Sequence, residues 1–176
     1  MFGNNFKDSQ NGYQAYIDLP SFIDWYLIQE IAKSVDAQWY SSIYFNYVPG
    51  EKIKMGPLWD FDLSYGNVDY ADSRYAEGFW IKNNPWYKRL FEDPNFENQV
   101  KDRFMHFYNN LNVILDNIDA YAEYLNRSQA QNYQKWPTLG TYVWPNPVYF
   151  DTHEKEVAHL KNWIRTRMNW LHSQYN

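Results

Sequence analysis

Apolar side chains recur every three or four residues along 22–34, where the chain reads FIDWYLIQEIAKS. This spacing predicts a helix over 22–34 that ends near Asp36. Ser21 and Asp24 match the S-x-x-D pattern of a helix start, so we expect them to cap this helix. Residues 1–20 are polar and contain Gly and Asn, which predicts a loop entering the helix.

A β-hairpin is predicted after this helix. β-forming residues dominate 42–47, a Pro-Gly turn dipeptide follows at 49–50, and 52–55 alternate polar with apolar residues. Such runs on either side of a turn signal are typical of two paired strands. The Gly-Pro dipeptide at 56–57 then interrupts the pairing, and we expect 58–63 to be a short extended stretch.

Two acids, Asp60 and Asp62, lie in the apolar run GPLWDFD. In an extended stretch they would share one side, about 6–7 Å apart. We expect carboxylates packed among Trp, Phe and Leu to be hydrogen-bonded, protonated or bound to a cation, because an unpaired buried charge is costly. A D-x-D pair beside an apolar strand suits a hard cation such as Mg²⁺, and a plain turn with one capping carboxylate is equally compatible.

Helical spacing returns in the C-terminal half. The Asn-Pro dipeptide at 84–85 and the Asp-Pro dipeptide at 93–94 each predict a helix start, and the first of these helices ends at about Phe91. The pattern of the second continues to about Arg127, with a bend near 109–112. This part of the chain therefore predicts a helical bundle.

Two segments lack a regular period. Residues 64–83 predict a long loop, and 132–150, with three prolines among bulky aromatic residues, predict an irregular packed connector. Asp151 and Glu154 predict the cap of a last helix, whose apolar stripe continues to the C-terminus. The fold class is therefore α+β, predominantly α, with a helix, a β-hairpin carrying the acidic motif and a helical bundle in one domain.

Composition narrows the function classes. The net charge of −5 and the lack of a basic stripe argue against a nucleic-acid partner. Because the chain has no cysteine, disulfides, zinc-thiolate sites and cysteine nucleophiles are excluded. We find neither an apolar run that could span a membrane nor a signal peptide, and we expect the chain to be a piece of a longer protein.

Aromatic residues make up 21% of the chain. Because the mean hydropathy is −0.74, much of this aromatic surface must be half buried and half in contact with water. Trp80, Trp86, Trp136 and Trp144 lie near Pro and Asn and are candidates for a sugar-stacking platform. Such residues more often fill a core and its rim.

The run KMGPLWDFDLSYGN at 54–67, preceded by IDWYLIQEIAKS and SVDAQWYSSIYFNY, resembles the spore coat protein H (CotH) kinase-like family. Members of that family are similar to atypical, secretory-pathway-type protein kinases. They carry a G-P-x-W-D-x-D-x-x-x-G signature after an N-x-D loop and a hairpin. A W-x-x-x-L helix from Trp86 and a K-x-W-x-x-x-R helix from Lys161 also match in character, so the resemblance extends from about Ser21 to the C-terminus.

The resemblance implies a protein-kinase-like C-terminal lobe with assigned site residues. Asp36 matches the catalytic-loop acid that orients the substrate hydroxyl, and Asp60 matches the metal-binding acid, with Asp62 assisting. Ser41 and Ser42 stand where kinases place an Asn ligand for a second metal, and they are candidate neighbours of the nucleotide and metal. These weaker ligands make a second bound metal less favourable.

The resemblance also implies cofactors, partners and a location. The cofactors are Mg²⁺ or Mn²⁺ with ATP, and the phosphate acceptor is a Ser or Thr of a secreted or surface protein. Polysaccharide-associated proteins are further candidate partners. The implied location is extracellular, at the cell surface or in the spore coat.

A kinase also needs a strand-rich N-terminal lobe with a phosphate-binding Lys. Residues 1–20 cannot supply it, so we interpret them as the remnant of a linker and 21–176 as the lobe. We therefore expect poor or no phosphate transfer by this chain alone. The alternatives are a non-catalytic pseudokinase-like or carbohydrate- or protein-binding module, and a glycosidase that uses Asp60 with Asp36 or Asp62.

Overall fold

The computed structural model describes residues 3–39 and 42–176. The helices are α1 (Leu19–Ala32), α2 (Pro85–Leu90), α3 (Pro94–Asn109), α4 (Leu111–Tyr124), α5 (Asn126–Lys135) and α6 (His153–Tyr175), and the strands are β1 (Phe45–Asn46) and β2 (Lys54–Met55). The strands pair antiparallel, with Phe45 opposite Met55. The predicted α+β class, dominated by helix, is confirmed. Within the described ranges, no helix is long and apolar enough to cross a membrane.

Helix α1 begins earlier than predicted. The carboxylate of Asp18 accepts a hydrogen bond from the backbone N of Ser21 at 3.0 Å and caps the helix. The predicted cap by Ser21 and Asp24 is therefore wrong, and Asp24 instead forms an ion pair with Arg103 of α3. The helix also ends before the predicted boundary, because Lys33 takes a left-handed backbone conformation with a φ of 48°.

Helix α1 is the centre of the core. It contacts α3, α6 and β2, and Phe22, Trp25, Tyr26 and Leu27 on it are all buried. A helix packed on several sides needs apolar residues around most of its circumference, as α1 has. The hydroxyl groups of Tyr26 and Tyr175 lie 2.9 Å apart and join α1 to the end of α6.

The residues before α1 pack onto this core. Phe6, Tyr13 and Ile17 are buried. The backbone N of Ile53 donates to the carbonyl of Tyr16 at 2.8 Å. The segment before α1, which we call the lead-in, therefore runs beside the hairpin. The lead-in is thus integral to the core of this chain, and its interpretation as the remnant of a linker stays a prediction.

The predicted starts of α2 and α3 are confirmed. The side chains of Asn84 and Asp93 accept hydrogen bonds from backbone N atoms two residues later, both at 3.0 Å. The predicted bend separates α3 from α4 at Asn110. Helix α6 is capped by Thr152 rather than by Asp151 and Glu154. The Thr152 hydroxyl accepts a hydrogen bond from the backbone N of Lys155 at 3.3 Å.

The loop over 64–83 is packed rather than free. It contains two short 3-10 turns, at Asp72–Arg74 and Ile81–Asn83, and the side chains of Val68 and Ile81 are buried. Helix continues to Lys135 in α5, beyond the predicted end near Arg127 and into the predicted connector over 132–150. The connector after α5 is mostly exposed, which contradicts its predicted packed character. A backbone hydrogen bond joins two parts of this connector, because Gly140 N donates to the carbonyl of Phe150 at 2.8 Å.

Candidate functional site

Two backbone hydrogen bonds bring the acid-bearing segments together. Tyr65 N donates to the carbonyl of Ala32 at 2.7 Å, and Val35 N donates to the carbonyl of Leu63 at 3.3 Å. The segment that carries Asp36 therefore lies alongside the segment that carries Asp62. This contact is long-range in sequence, and it places the acids of the predicted catalytic and metal positions at one end of α1.

Lys33 fixes this end of α1. Its side chain is buried, and its ammonium group donates to three loop carbonyls, of Asp72 at 3.2 Å, Tyr75 at 2.8 Å and Glu77 at 2.7 Å. Burial, followed by the charge of Arg167, lowers the pKa of Lys33 to about 8. Because the ammonium group is committed to these carbonyls, Lys33 holds the loop rather than a phosphate.

The backbone at Asp60 is not extended. Its φ is 63°, in the left-handed region, and a turn follows at Asp62. The predicted extended stretch over 58–63 is therefore wrong, and with it the basis of the predicted spacing of the acids. The turn is held by Asn67, whose side-chain amide donates to the carbonyl of Asp62 at 3.0 Å.

Both acids of this turn are exposed to solvent, as are Leu58 and Trp59 beside them. The expectation that Asp60 and Asp62 are packed among apolar side chains is therefore wrong. The indole of Trp59 instead donates to the carbonyl of Ser42 at 3.2 Å. Exposure leaves the carboxylates accessible to a ligand from solution.

The pKa of Asp60 responds to its surroundings and to the two other predicted acids. Partial desolvation raises the pKa of Asp60, and the carboxylate of Asp62, through its charge and a side-chain contact, raises it further. The charge of Asp36 adds to the same effect. The structure thus brings Asp36, Asp60 and Asp62 into one electrostatic cluster, which we call the acid cluster.

The acid cluster suits a hard divalent cation. Mg²⁺ is usually held by one or two carboxylates, with phosphate and water oxygens completing its shell, and Asp60 and Asp62 provide two adjacent carboxylates. A cation would also relieve the repulsion that raises the pKa of Asp60. In the described part of the chain, no group of three His, Cys, Asp or Glu side chains is arranged to hold a metal. A cation here would therefore need water or phosphate ligands as well.

The two candidate serines are placed differently by the structure. Ser41 lies outside the described residues. Ser42 has a left-handed backbone with a φ of 59°, and its carbonyl accepts from Trp59. The roles of Ser41 and Ser42 beside a nucleotide or a metal stay predictions.

The four candidate tryptophans have different environments. Trp80 and Trp86 are partly buried: the indole of Trp80 donates to the carbonyl of Ser34 at 2.9 Å, and Trp86 packs against Phe45. Trp136 and Trp144 are exposed. Two of the four residues therefore serve packing, and two remain available at the surface.

A cavity of about 420 Å³ adjoins the acid cluster. Its walls come from the loop at 61–67, from Tyr133 near the end of α5, from the connector at 138–149 and from the first turns of α6. Asp62 belongs both to this wall and to the acid cluster. Sequence reasoning missed the cavity, and the one signal that pointed to it was the concentration of Pro and aromatic residues in the connector.

The sequence of residues 2–171 matches the family model described as CotH kinase protein. The match spans nearly the whole chain and includes the acid cluster, the connector and most of α6. No curated protein and no solved structure matches the chain.

Proposed function

Since the chain belongs to the CotH kinase protein family, we propose that its acid cluster serves phosphate transfer from ATP to a Ser or Thr hydroxyl of a secreted or surface protein. The observation that carries the proposal is the pairing of the two acid-bearing segments, in which Val35 N donates to the carbonyl of Leu63 at 3.3 Å and Tyr65 N to that of Ala32 at 2.7 Å. Desolvation, followed by the charges of Asp62 and Asp36, raises the pKa of Asp60. Phosphate transfer depends mainly on positioning and on neutralising charge, and a kinase-like site achieves this with one acid for the hydroxyl and others for the metal.

Each acid has a distinct role in this proposal. Asp60 and Asp62 would hold Mg²⁺ or Mn²⁺ through their exposed carboxylates. The chemistry supplied there would be neutralisation of charge on the phosphates of ATP. Asp36 accepts a hydrogen bond from the acceptor hydroxyl and orients it. Its position is set by the backbone contact between Val35 and Leu63.

The shortage of positive charge around the acid cluster supports the expectation that this chain alone transfers phosphate slowly. Among the described residues that line the adjoining cavity, none is Lys or Arg. Lys33, at the end of α1, donates to three carbonyls. A kinase needs a cationic side chain on the phosphates, and we propose that another lobe or a partner supplies it.

Binding of Mn²⁺-ATP tests the metal role. Asp60→Asn removes one carboxylate and keeps a residue type that tolerates the left-handed backbone at this position. Asp116→Asn, on the exposed face of α4, is the matched control. We expect titration calorimetry to show an affinity for Mn²⁺-ATP at least about tenfold weaker for Asp60→Asn, which equals about 1.4 kcal/mol. Equal affinities for Asp60→Asn and the control would overturn the metal role.

Transfer itself is tested with Asp36→Asn. In the longest natural reading frame, radiolabelled ATP and a Ser-rich acceptor should give labelled product with the wild type. Asp36→Asn should lose most of this activity while binding Mn²⁺-ATP normally, because Asp36 is assigned to the acceptor hydroxyl. Unchanged transfer by this variant would contradict the role of Asp36.

A further inference from the structure

The cavity beside the acid cluster is assembled from segments far apart in the sequence. The loop at 61–67 supplies one wall, the connector at 138–149 a second, and α6 a third. The connector wall is held in place because Glu156 accepts a hydrogen bond from the backbone N of Phe150 at 2.6 Å. The cavity is therefore a feature built by the fold. Its volume, about 420 Å³, lies in the usual range for small-molecule sites.

The wall chemistry disfavours one large class of ligand. Asp62 and Glu156 contribute two carboxylates against the one imidazole of His159, and the described lining contains no Lys or Arg. An anionic ligand such as a nucleotide would be repelled there. The cavity thus differs in ligand class from a phosphate site, although it shares Asp62 with the acid cluster.

The remaining wall residues offer ring faces and hydrogen-bonding groups. The rings are those of Tyr65, Tyr133 and Tyr149. The hydrogen-bonding groups are the amides of Asn67 and Asn146 and the hydroxyls of Thr138 and Thr141. Aromatic side chains present an apolar face with a polar tip, while amides and carboxylates can engage two neighbouring hydroxyl groups. This combination matches a neutral ligand that has both C–H faces and many hydroxyl groups.

Ser64 is an independent indication of a ligand. Its side chain is 2% exposed, it lines the cavity, and its hydroxyl has no hydrogen-bond partner in the described structure. A buried polar group without a partner is destabilising, because it has lost its hydrogen bonds to water. A ligand hydroxyl in the cavity could provide the missing partner.

We propose that this cavity binds a neutral saccharide of about disaccharide size. Its hydroxyl groups bond to Ser64, Asn67 and Asn146, and its ring faces pack on the tyrosines. Binding requires neither nucleotide nor metal, so the proposal stands apart from phosphate transfer. Because Asp62 lines the cavity, a bound saccharide would lie next to the acid cluster.

Exposed rings continue from the cavity along the surface. Tyr142 lies 6.2 Å from Tyr149, ring centre to ring centre, and its hydroxyl donates to Asp69 at 2.8 Å. Beyond it, the rings of Tyr70 and Trp144 stack 5.9 Å apart. These rings favour a glycan chain that extends out of the cavity over an isolated sugar.

Titration with cellobiose, maltose and chitobiose, followed by two-dimensional NMR of the labelled chain, tests this site. We expect at least one of them to shift the amide signals of Asn67, Asn146 and Tyr149 saturably. A uronic-acid disaccharide and ADP should leave these signals unchanged, because the wall carries carboxylates. If no neutral disaccharide shifts these signals, the proposal is wrong. It is also wrong if only a Ser-rich peptide shifts them.

Two variants locate the binding. Ser64→Ala should bind the saccharide about tenfold more weakly, the effect of one lost hydrogen bond, with stability unchanged or raised, because the unpaired hydroxyl is gone. Val148→Trp should block the cavity, whereas Val113→Trp, on exposed α4, is the matched control and should bind normally. Normal binding by both Ser64→Ala and Val148→Trp would overturn the assignment. Failure of Mn²⁺-ATP binding would leave these saccharide results unaffected.

Discussion

The guanidinium group of Arg167 lies 2.6 Å from the carboxylate of Glu30, and both side chains are fully buried. The same carboxylate accepts from the backbone N atoms of Trp80 at 2.7 Å and Lys82 at 2.8 Å. Arg167 also donates to two loop carbonyls, of Ala76 at 2.7 Å and Gly78 at 2.8 Å. One buried ion pair thus ties α1, α6 and the long loop together, and all its charges have partners.

Removing one side of this pair should destabilise the fold strongly. Arg167→Leu leaves the Glu30 carboxylate buried without its counter-charge, which typically costs about 3–5 kcal/mol. Urea unfolding followed by circular dichroism measures the change. Arg165→Leu, exposed on the same helix, is the control and should change the unfolding free energy by less than about 0.5 kcal/mol. A loss below about 1 kcal/mol for Arg167→Leu would contradict the structural role of the pair.

Gly66 should tolerate a side chain less well than Gly78. Both have left-handed backbones, with φ of 84° and 80°, so an Ala at either position costs about 1–2 kcal/mol. A Cβ at Gly66 would also lie 2.4 Å from the indole nitrogen of Trp163, whereas one at Gly78 meets nothing within 4 Å.

We expect Gly66→Ala to lose at least about 1 kcal/mol more than Gly78→Ala, because Trp163 must move and its hydrogen bond to the carbonyl of Arg74 weakens. Chemical denaturation of the two variants measures the difference. Equal losses of unfolding free energy in the two variants would contradict this prediction, because they would show that Trp163 or the loop moves aside at no energetic cost.

The buried phenol of Tyr13 should make stability fall in alkaline solution. Burial raises the pKa of Tyr13 to about 12, with the neighbouring Asp93 carboxylate adding to the effect. In the unfolded chain the phenol ionises near its ordinary pKa of 10. Its stabilising contribution is therefore complete below pH 10 and is lost as the pH rises from 10 to about 12.

The variant Tyr13→Phe isolates this contribution. At neutral pH it should be less stable than the wild type by about 1 kcal/mol, through loss of the hydrogen bond to Asp93. The gap should narrow above pH 10, as measured by denaturant unfolding at several pH values. Tyr16→Phe, at an exposed neighbour, controls for the loss of a phenol. A gap that stays constant with pH would contradict the buried state of this phenol.

Cation binding at the acid cluster should appear in thermal stability. Without a metal, Asp60→Asn should raise Tm slightly, because it removes a charge that is disfavoured by desolvation and by repulsion from Asp62 and Asp36, the causes that raise the pKa of Asp60. With Mn²⁺ added, Tm of the wild type should rise, since a ligand that binds only the folded state stabilises it. Asp60→Asn should lose most of this rise, and Asp116→Asn should keep it. A rise of the same size in all three proteins would place the cation elsewhere.

Local signals were sufficient for much of the helical architecture. Proline in the first turn after Asn84 or Asp93 correctly predicted the starts of α2 and α3, because a capping side chain and a proline act within a few residues. At α1, Asp18 followed by Pro20 fits the same rule, but the S-x-x-D pattern of Ser21 and Asp24 predicted a later start instead. Asp18, Ser21 and Asp24 all suit a helix start, and the ion pair of Asp24 with Arg103 depends on α3.

The sequence predicted which residues form the acid cluster, but not their exposure or their backbone conformation. The residues Asp36, Asp60 and Asp62 could be chosen from the sequence, because acids near an apolar strand and a turn suit metal chemistry, and because their order resembles a kinase lobe. Their exposure and the left-handed backbone at Asp60 could not be predicted, since no local residue requires them. They follow from the packing of 56–67 against the hairpin and the end of α1, where Gly56 N donates to the carbonyl of Tyr44 at 2.7 Å.

The sequence by itself determined the helical class, the starts of α2 and α3 and the family, because periodicity, caps and a contiguous motif are local properties of the chain. Only the tertiary structure decided that Lys33, Glu30 and Arg167 bind the loop, and that a cavity lies between the acidic turn and α6. These features join residues that are tens of positions apart. Their partners are chosen by shape and by the need to satisfy buried charge, and neither leaves a local pattern.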